Sequence, residues 1–201
     1  MPERNTDALL LEKAGNGDQS AFRELYERHR LPVFRFAYRL LGSVEVAEDV
    51  THDCFLSLIR KPEYFDPGKA SLRTYLFSAA RNLAFKHFKR SNREATLDGL
   101  EDEASDVEKH QPLNRVLREE LVSQVREAVI NLPPLQREAL ILFEYEGLRM
   151  EEIAAITETE VGAIKSRLHR ARERLKRTLG PYFRDNRELN SSREIVTLKE
   201  A

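Results

Sequence analysis

The sequence lacks the means for several kinds of chemistry. Its 201 residues include one cysteine, Cys54, so no intrachain disulfide can form, which fits a reducing, cytoplasmic setting. No apolar run approaches the length of a membrane span, and the first residues do not read as a signal peptide. Neither the HExxH spacing of a zinc site, nor a phosphate-binding loop, nor a Cys-Xaa-Xaa-Cys pair occurs, and the five histidines are scattered. No catalytic residue, metal ligand or cofactor is expected from such a pattern. There is no tryptophan, and the formal net charge is only −1. Total charge therefore gives no hint of a nucleic-acid partner, but its distribution does.

Between Arg81 and Arg93 stand five basic residues and no acidic one, while Glu94 to Glu108 holds seven acidic residues and no basic one. A neutral chain assembled from opposed charge blocks suits partners of both signs. Charged residues make up 33%, the composition of long amphipathic helices. Gly15-Asn-Gly-Asp18 is a turn, and Asp18 or Ser20 can cap the helix after it. Apolar residues then recur at helical spacing past Pro32, which is expected to bend the helix, as far as Gly42. Ser43 caps a third helix towards Lys61-Pro62, and after a loop a long helix carries Leu72, Tyr75, Leu76, Ala79, Leu83 and Phe88. The acidic stretch has neither aromatics nor periodicity and reads as a flexible linker. Helical pattern resumes near Leu113, and Pro133-Pro134 opens a further helix ending at Gly147. Beyond Gly180-Pro181 the sequence is polar and reads as a frayed tail. No segment has the pattern of a sheet. The expected fold is all-α, two helical domains (1–93 and 113–180) joined by an acidic linker (94–112) and followed by a tail (181–201).

The segment Glu152 to Arg172 reads as a short helix, a tight turn and a basic second helix, a device for placing a helix in the major groove of DNA. At about 100° per residue, Val161, Ile164, Leu168, Ala171 and Leu175 form one apolar stripe. Gly162, Ser166, His169 and Arg170 lie opposite, with Lys165, Arg167 and Arg172 on the flanks. Seven basic residues and one acidic residue fall between Lys165 and Arg177, a charge balance that phosphates attract.

The chain resembles the extracytoplasmic-function sigma factors, the minimal class of the sigma-70 family. The resemblance runs from about Leu9 to Leu179. It rests on Asp18-Gln-Ser-Ala-Phe-Arg-Glu-Leu-Tyr26, Ala47-Glu-Asp-Val-Thr-His-Asp-Cys-Phe-Leu56, Thr74-Tyr-Leu-Phe-Ser-Ala-Ala-Arg-Asn82, Leu132-Pro-Pro-Leu-Gln-Arg-Glu-Ala139 and the helix-turn-helix, in that order. It implies a protein that binds core RNA polymerase, recognises −35 and −10 promoter elements and directs initiation, with no bond chemistry of its own. The partners it implies are the polymerase β′ clamp helices and β flap, duplex promoter DNA and the melted non-template strand. Many such proteins are also held by an anti-sigma factor.

The same resemblance distributes roles. Glu48, Asp49, His52, Asp53, Phe55 and Ile59 of the third helix fall where the family contacts the clamp helices; His52 replaces the usual glutamine. Phe65, Asp66, Lys69, Ser71, Arg73, Tyr75, Arg81, Asn82, Lys86 and Lys89 fall in the segment that captures the −10 strand. Aromatic surface and positive charge suit that task, although Tyr75 stands where tryptophan is common. Gly162, Lys165, Ser166, Arg167, His169, Arg170 and Arg172 fall on the helix that reads the −35 element, Arg170 being able to pair bidentately with guanine. In the turn, Thr157 and Glu158 replace the usual leucine and glycine, and a non-glycine residue in a left-handed turn is penalised. A free-standing helix-turn-helix regulator is the competing reading, but it leaves the acidic third helix and the strand-capture loop without a purpose. An enzyme such as a nuclease finds no metal-ligand set to work with.

Overall fold

The computed structural model describes the backbone of residues 2–98 and 113–197, and the side-chain surroundings of residues 6–90 and 120–182. Among the described residues every regular element is helical, and no helix is long and apolar enough to cross a membrane.

The N-terminal half begins with α1 (Pro2–Gly15) and α2 (Gln19–Leu41). Asp18 caps α2, its Oδ1 accepting from the backbone N–H of Ser20 at 2.9 Å and of Ala21 at 3.1 Å. The Ser20 hydroxyl, which donates to the same oxygen at 2.6 Å, and these backbone bonds hold the Asp18 carboxyl below the usual carboxylate range. Ala21, Leu25, His29, Val33, Phe36, Ala37 and Leu40 form the buried stripe of α2, which passes through Pro32 as one helix. Gly42 ends it at φ +82°, a left-handed conformation that glycine adopts without a Cβ clash. Helix α3 (Val44–Arg60) starts at Ser43, whose Oγ accepts from the Val46 N–H at 3.3 Å. A 3-10 turn at Pro62–Tyr64 leads to α4 (Leu72–Asp98), where Ser71 Oγ accepts from the Thr74 N–H at 3.1 Å. Phe36 and Phe77 meet at 5.3 Å between ring centres, and Tyr26 stands edge-on to Phe55 at 4.8 Å. Helix α4 runs five residues into the segment expected as linker, because Glu94 to Asp98 contains no helix breaker before Gly99. The rest of that segment, 99–112, lies outside the described residues.

The C-terminal half comprises α5 (Leu113–Ile130), α6 (Pro134–Leu140), a π-helical turn (Ile141–Tyr145), α7 (Met150–Thr157) and α8 (Val161–Thr197). Helix α8 corrects one expectation: it continues through Gly180 and Pro181 rather than fraying there. Proline forfeits one backbone bond within a helix, but its fixed φ lies in the helical range, so the helix can pass through it. The apolar stripes close on one another, with Ile141, Leu142, Ile153, Ile156, Ile164 and Leu168 all buried.

The two halves do not stand apart. One buried cluster runs from Leu10 and Leu11 through Phe36, Leu76 and Phe77 to Leu142, Ile153 and Leu168. Arg137 on α6 donates to the carbonyl of Leu40 at 2.6 Å and to that of Leu132 at 3.0 Å. It thereby satisfies an end-of-helix carbonyl of α2 from the other half of the chain.

Candidate nucleic-acid interface

On α3, Glu48, Asp49, His52 and Asp53 are exposed, while Ala47, Val50, Thr51, Cys54, Phe55 and Leu58 face the core. Among the described residues, Glu48, Asp49 and Asp53 have no ion-pair partner within the chain. The acidic face is therefore available for charge-assisted bonds to a basic surface. Ile59 is half-buried at its edge. Phe55 departs from the role expected for it: at 2% exposure it packs against Tyr26 and cannot touch a partner. Cys54 is also buried, which pushes its thiol up to about 12 and suits a packing role.

The loop and helix expected to capture a single strand show two kinds of residue. Asp66, Lys69, Asn82, Lys86 and Lys89 are exposed. Asp66 Oδ1 accepts from the Gly68 N–H at 2.9 Å, which shapes the loop and lowers the Asp66 carboxyl, and Lys69 lies 3.4 Å from the same carboxylate. Tyr64 is 63% exposed, with Lys61 over its ring at 5.1 Å, and is the exposed aromatic of the loop. Phe65 does not serve that way. It is buried edge-on against Tyr75 at 5.6 Å, because its side chain closes the core under the loop. Ser71 and Tyr75 are half-buried; Ser71 is occupied as a cap, and burial pushes the Tyr75 phenol up.

Arg73 and Arg81 are engaged by the C-terminal half. Arg73 Nη2 donates to the Glu146 carbonyl at 2.8 Å and to its Oε2 at 3.2 Å, and Arg39 lies 3.3 Å from the same carboxylate. Arg81 Nε donates to Glu138 Oε1, and its Nη1 reaches Asn82 Oδ1 at 3.3 Å. Glu138 is fully buried; burial raises its carboxyl above the usual value although Arg81 and Arg167 pull it back. Sequence reasoning missed Glu138, Glu146, Arg39 and Arg137. The sequence carried no signal for them, because charged residues on a short helix ordinarily face solvent.

The helix-turn-helix follows its expected faces. Ile164, Leu168 and Ala171 are buried, while Gly162, Lys165, Ser166, His169 and Arg170 are exposed. Ser166 Oγ donates back to the Gly162 carbonyl at 3.0 Å. Among the described residues, Lys165, His169 and Arg170 make no hydrogen bond or ion pair to side chains of this chain. Arg172 is held by Glu144 at 2.6 Å and lies over Phe143. Arg167 is half-buried with its Nη1 enclosed, and its charge favours the Glu138 carboxylate, so it does not stand fully exposed on the flank. In the turn, Glu158 has φ +51° and ψ +46°, and Thr157 Oγ1 donates to the Ile153 carbonyl at 2.8 Å. No group of acidic, histidine and cysteine side chains suited to a metal occurs among the described residues.

Comparison with known proteins agrees with this geometry. The family described as Sigma-70 region 2 matches residues 25–94, and the one described as Sigma-70, region 4 matches residues 123–175. The ECF RNA polymerase sigma-E factor of Escherichia coli K12 is 33% identical, over 92% of this chain and all of that protein. The RNA polymerase sigma-H factor of Pseudomonas aeruginosa is 30% identical over the same shares. Among solved structures, the sigma factor RpoE of Bartonella quintana, in complex with the anti-sigma factor NepR, superposes with a TM-score of 0.66. It is 29% identical, and the match covers 79% of this chain and 96% of that one.

Proposed function

This chain belongs to the sigma-70 family, in its extracytoplasmic-function class, and from that premise we propose how its surfaces divide the work of promoter-directed transcription initiation. The exposed acidic face of α3, centred on Asp49, His52 and Asp53, binds basic residues of the polymerase clamp helices. The segment from Tyr64 to Lys89 captures the melted non-template strand of the −10 element, with Asn82 reading a base edge and Lys69, Arg73, Arg81, Lys86 and Lys89 following phosphates. The outward face of α8 enters the major groove at the −35 element, Arg170 and His169 reading bases and Lys165 holding phosphate. The observation that carries this reading is the exposed basic face of α8, set opposite the buried Ile164, Leu168 and Ala171. That combination is what a groove-reading helix requires.

The complex of the Bartonella relative with an anti-sigma factor supports an anti-sigma partner for this chain as well. Such work is done beside the polymerase, in the cytoplasm.

The test is transcription in vitro with bacterial core polymerase and a randomised promoter library. Transcripts that depend on the chain and share two spaced upstream motifs are the expected result. Tight duplex binding by the chain alone, with no transcripts, would replace this reading with a free-standing regulator. Asp49→Arg with Asp53→Arg should abolish polymerase binding in a folded protein; normal binding would refute the clamp assignment. Arg170→Ala should weaken initiation chiefly at certain −35 bases, losing about 1–3 kcal/mol of discrimination. An equal loss on a scrambled −35 element would reduce Arg170 to a phosphate contact.

A further inference from the structure

One flank of α8 carries a row of four residues, Lys165, His169, Arg172 and Lys176, spaced by four, three and four so that they stand one above another along the helix. All four are exposed. Among the described residues, Lys165, His169 and Lys176 make no hydrogen bond or ion pair to another side chain. Arg172 differs from its neighbours. Its Nη2 donates to Glu144 Oε1 at 2.6 Å and its Nε to the same oxygen at 3.2 Å. Its guanidinium also lies over the ring of Phe143 at 5.4 Å. Both holding residues come from the π-helical turn that follows α6.

A row of cations on a groove-reading helix lies where the DNA backbone passes, and each cation that meets a phosphate releases counterions. Arg172 has spent its charge already. A phosphate that took it would have to displace a charge-assisted pair and leave the Glu144 carboxylate bare beside a polyanion. Exposed ion pairs add little to folding, so the pair is poorly explained as a stabilising device.

We propose that Glu144 is a positioning residue that withholds Arg172 from the DNA backbone, so that α8 grips duplex DNA with one phosphate contact fewer than its row of cations offers. This deepens the assignment of α8 to the −35 element and rests on it. Phosphate contacts carry no sequence information. Glu144 therefore weakens binding by the same factor at every sequence, and the base contacts of His169 and Arg170 supply a larger share of what remains.

The test uses the chain assembled with bacterial core polymerase. The probes are a duplex carrying the −35 element without a −10 element, and the same duplex with the −35 bases scrambled. Each phosphate contact steepens the fall of log K with log salt by about 0.9. Glu144→Gln should steepen it by about that amount on both duplexes. It should also bind both about eightfold more tightly at about 0.1 M salt, the change one such contact makes between about 1 M and about 0.1 M. Glu127→Gln, an equal charge change at an exposed position of α5, should leave the slope as it is. Glu144→Gln with Arg172→Gln keeps the net charge and should return slope and affinity to the wild type. A double variant whose slope is flatter than wild type by about 0.9 would show that Arg172 already holds phosphate, and would overturn the proposal. A Glu144→Gln slope equal to the wild type would overturn it too, as would a gain confined to the intact −35 duplex, which would make Glu144 act on base reading. Lys165→Ala and Arg170→Ala test the premise. If neither changes binding to either duplex, α8 is not the DNA face, and the −35 reading falls whatever Glu144 does.

Discussion

His29 lies buried on α2 with its Nε2 2.9 Å from Asp7 Oδ2, while Arg28 takes the other oxygen of Asp7 at 2.6 Å. Burial pulls the imidazole below 6.5, more strongly than Asp7 raises it, and Arg28 and Arg73 push the same way as burial. The unfolded chain therefore takes up this proton before the folded one does. The contribution of His29 to stability is complete above the unfolded value and falls as pH drops through it. The urea midpoint should accordingly fall between about pH 7.5 and about pH 5.5, and fall less in His29→Gln. An identical slope in that variant would show that other groups set the acid limb. Sequence reading found His29 at a helical position, but its partner Asp7 lies on a helix that no capping or periodic signal had marked.

The turn between α7 and α8 shows what local rules deliver at the scale of an element. A left-handed residue was expected where the family has glycine, and Glu158 adopts that conformation. The left-handed form costs a non-glycine residue about 1–2 kcal/mol, while glycine adds about 0.4–1 kcal/mol of unfolded-state freedom. Glu158→Gly should therefore stabilise the chain by up to about 1 kcal/mol, measured by urea unfolding. A loss of stability would mean that Glu158 is held by contacts worth more than its strain. Helix starts and stops at Asp18, Ser43, Gly42 and Gly147 were readable because each is a short-range matter of one cap or one φ. So were the two faces of α8, because periodicity sorts them. Phe55 and Phe65 were not, since an aromatic at the edge of a stripe can turn either way until its neighbours are in place.

For the whole molecule, the order of helices was legible and their closure was not. Nothing within α6 says that Arg137 will end at the Leu40 carbonyl, 97 positions away in the chain. The basic block suggested an acidic partner, and the chain itself supplies one for Arg81 in Glu138. Because Arg137 serves carbonyls of both halves, Arg137→Ala should cost about 2–4 kcal/mol in urea unfolding and expose the amides of α2 and α6 together in hydrogen exchange. Exposure of α6 alone would show that the halves are joined elsewhere.

Gly42 belongs to both halves as well. At its left-handed φ, an added Cβ would stand 3.0 Å from Ile130 Cδ1 on α5. Any side chain there strains the end of α2, and the Ile130 side chain has to yield by a few tenths of an ångström. Position 42 therefore ties the end of one helix to the seat of another, so variation there would act on how the two halves fit while leaving the outward residues of α8 as they are. The fit between the halves and the outward face of α8 are thus open to change independently of each other.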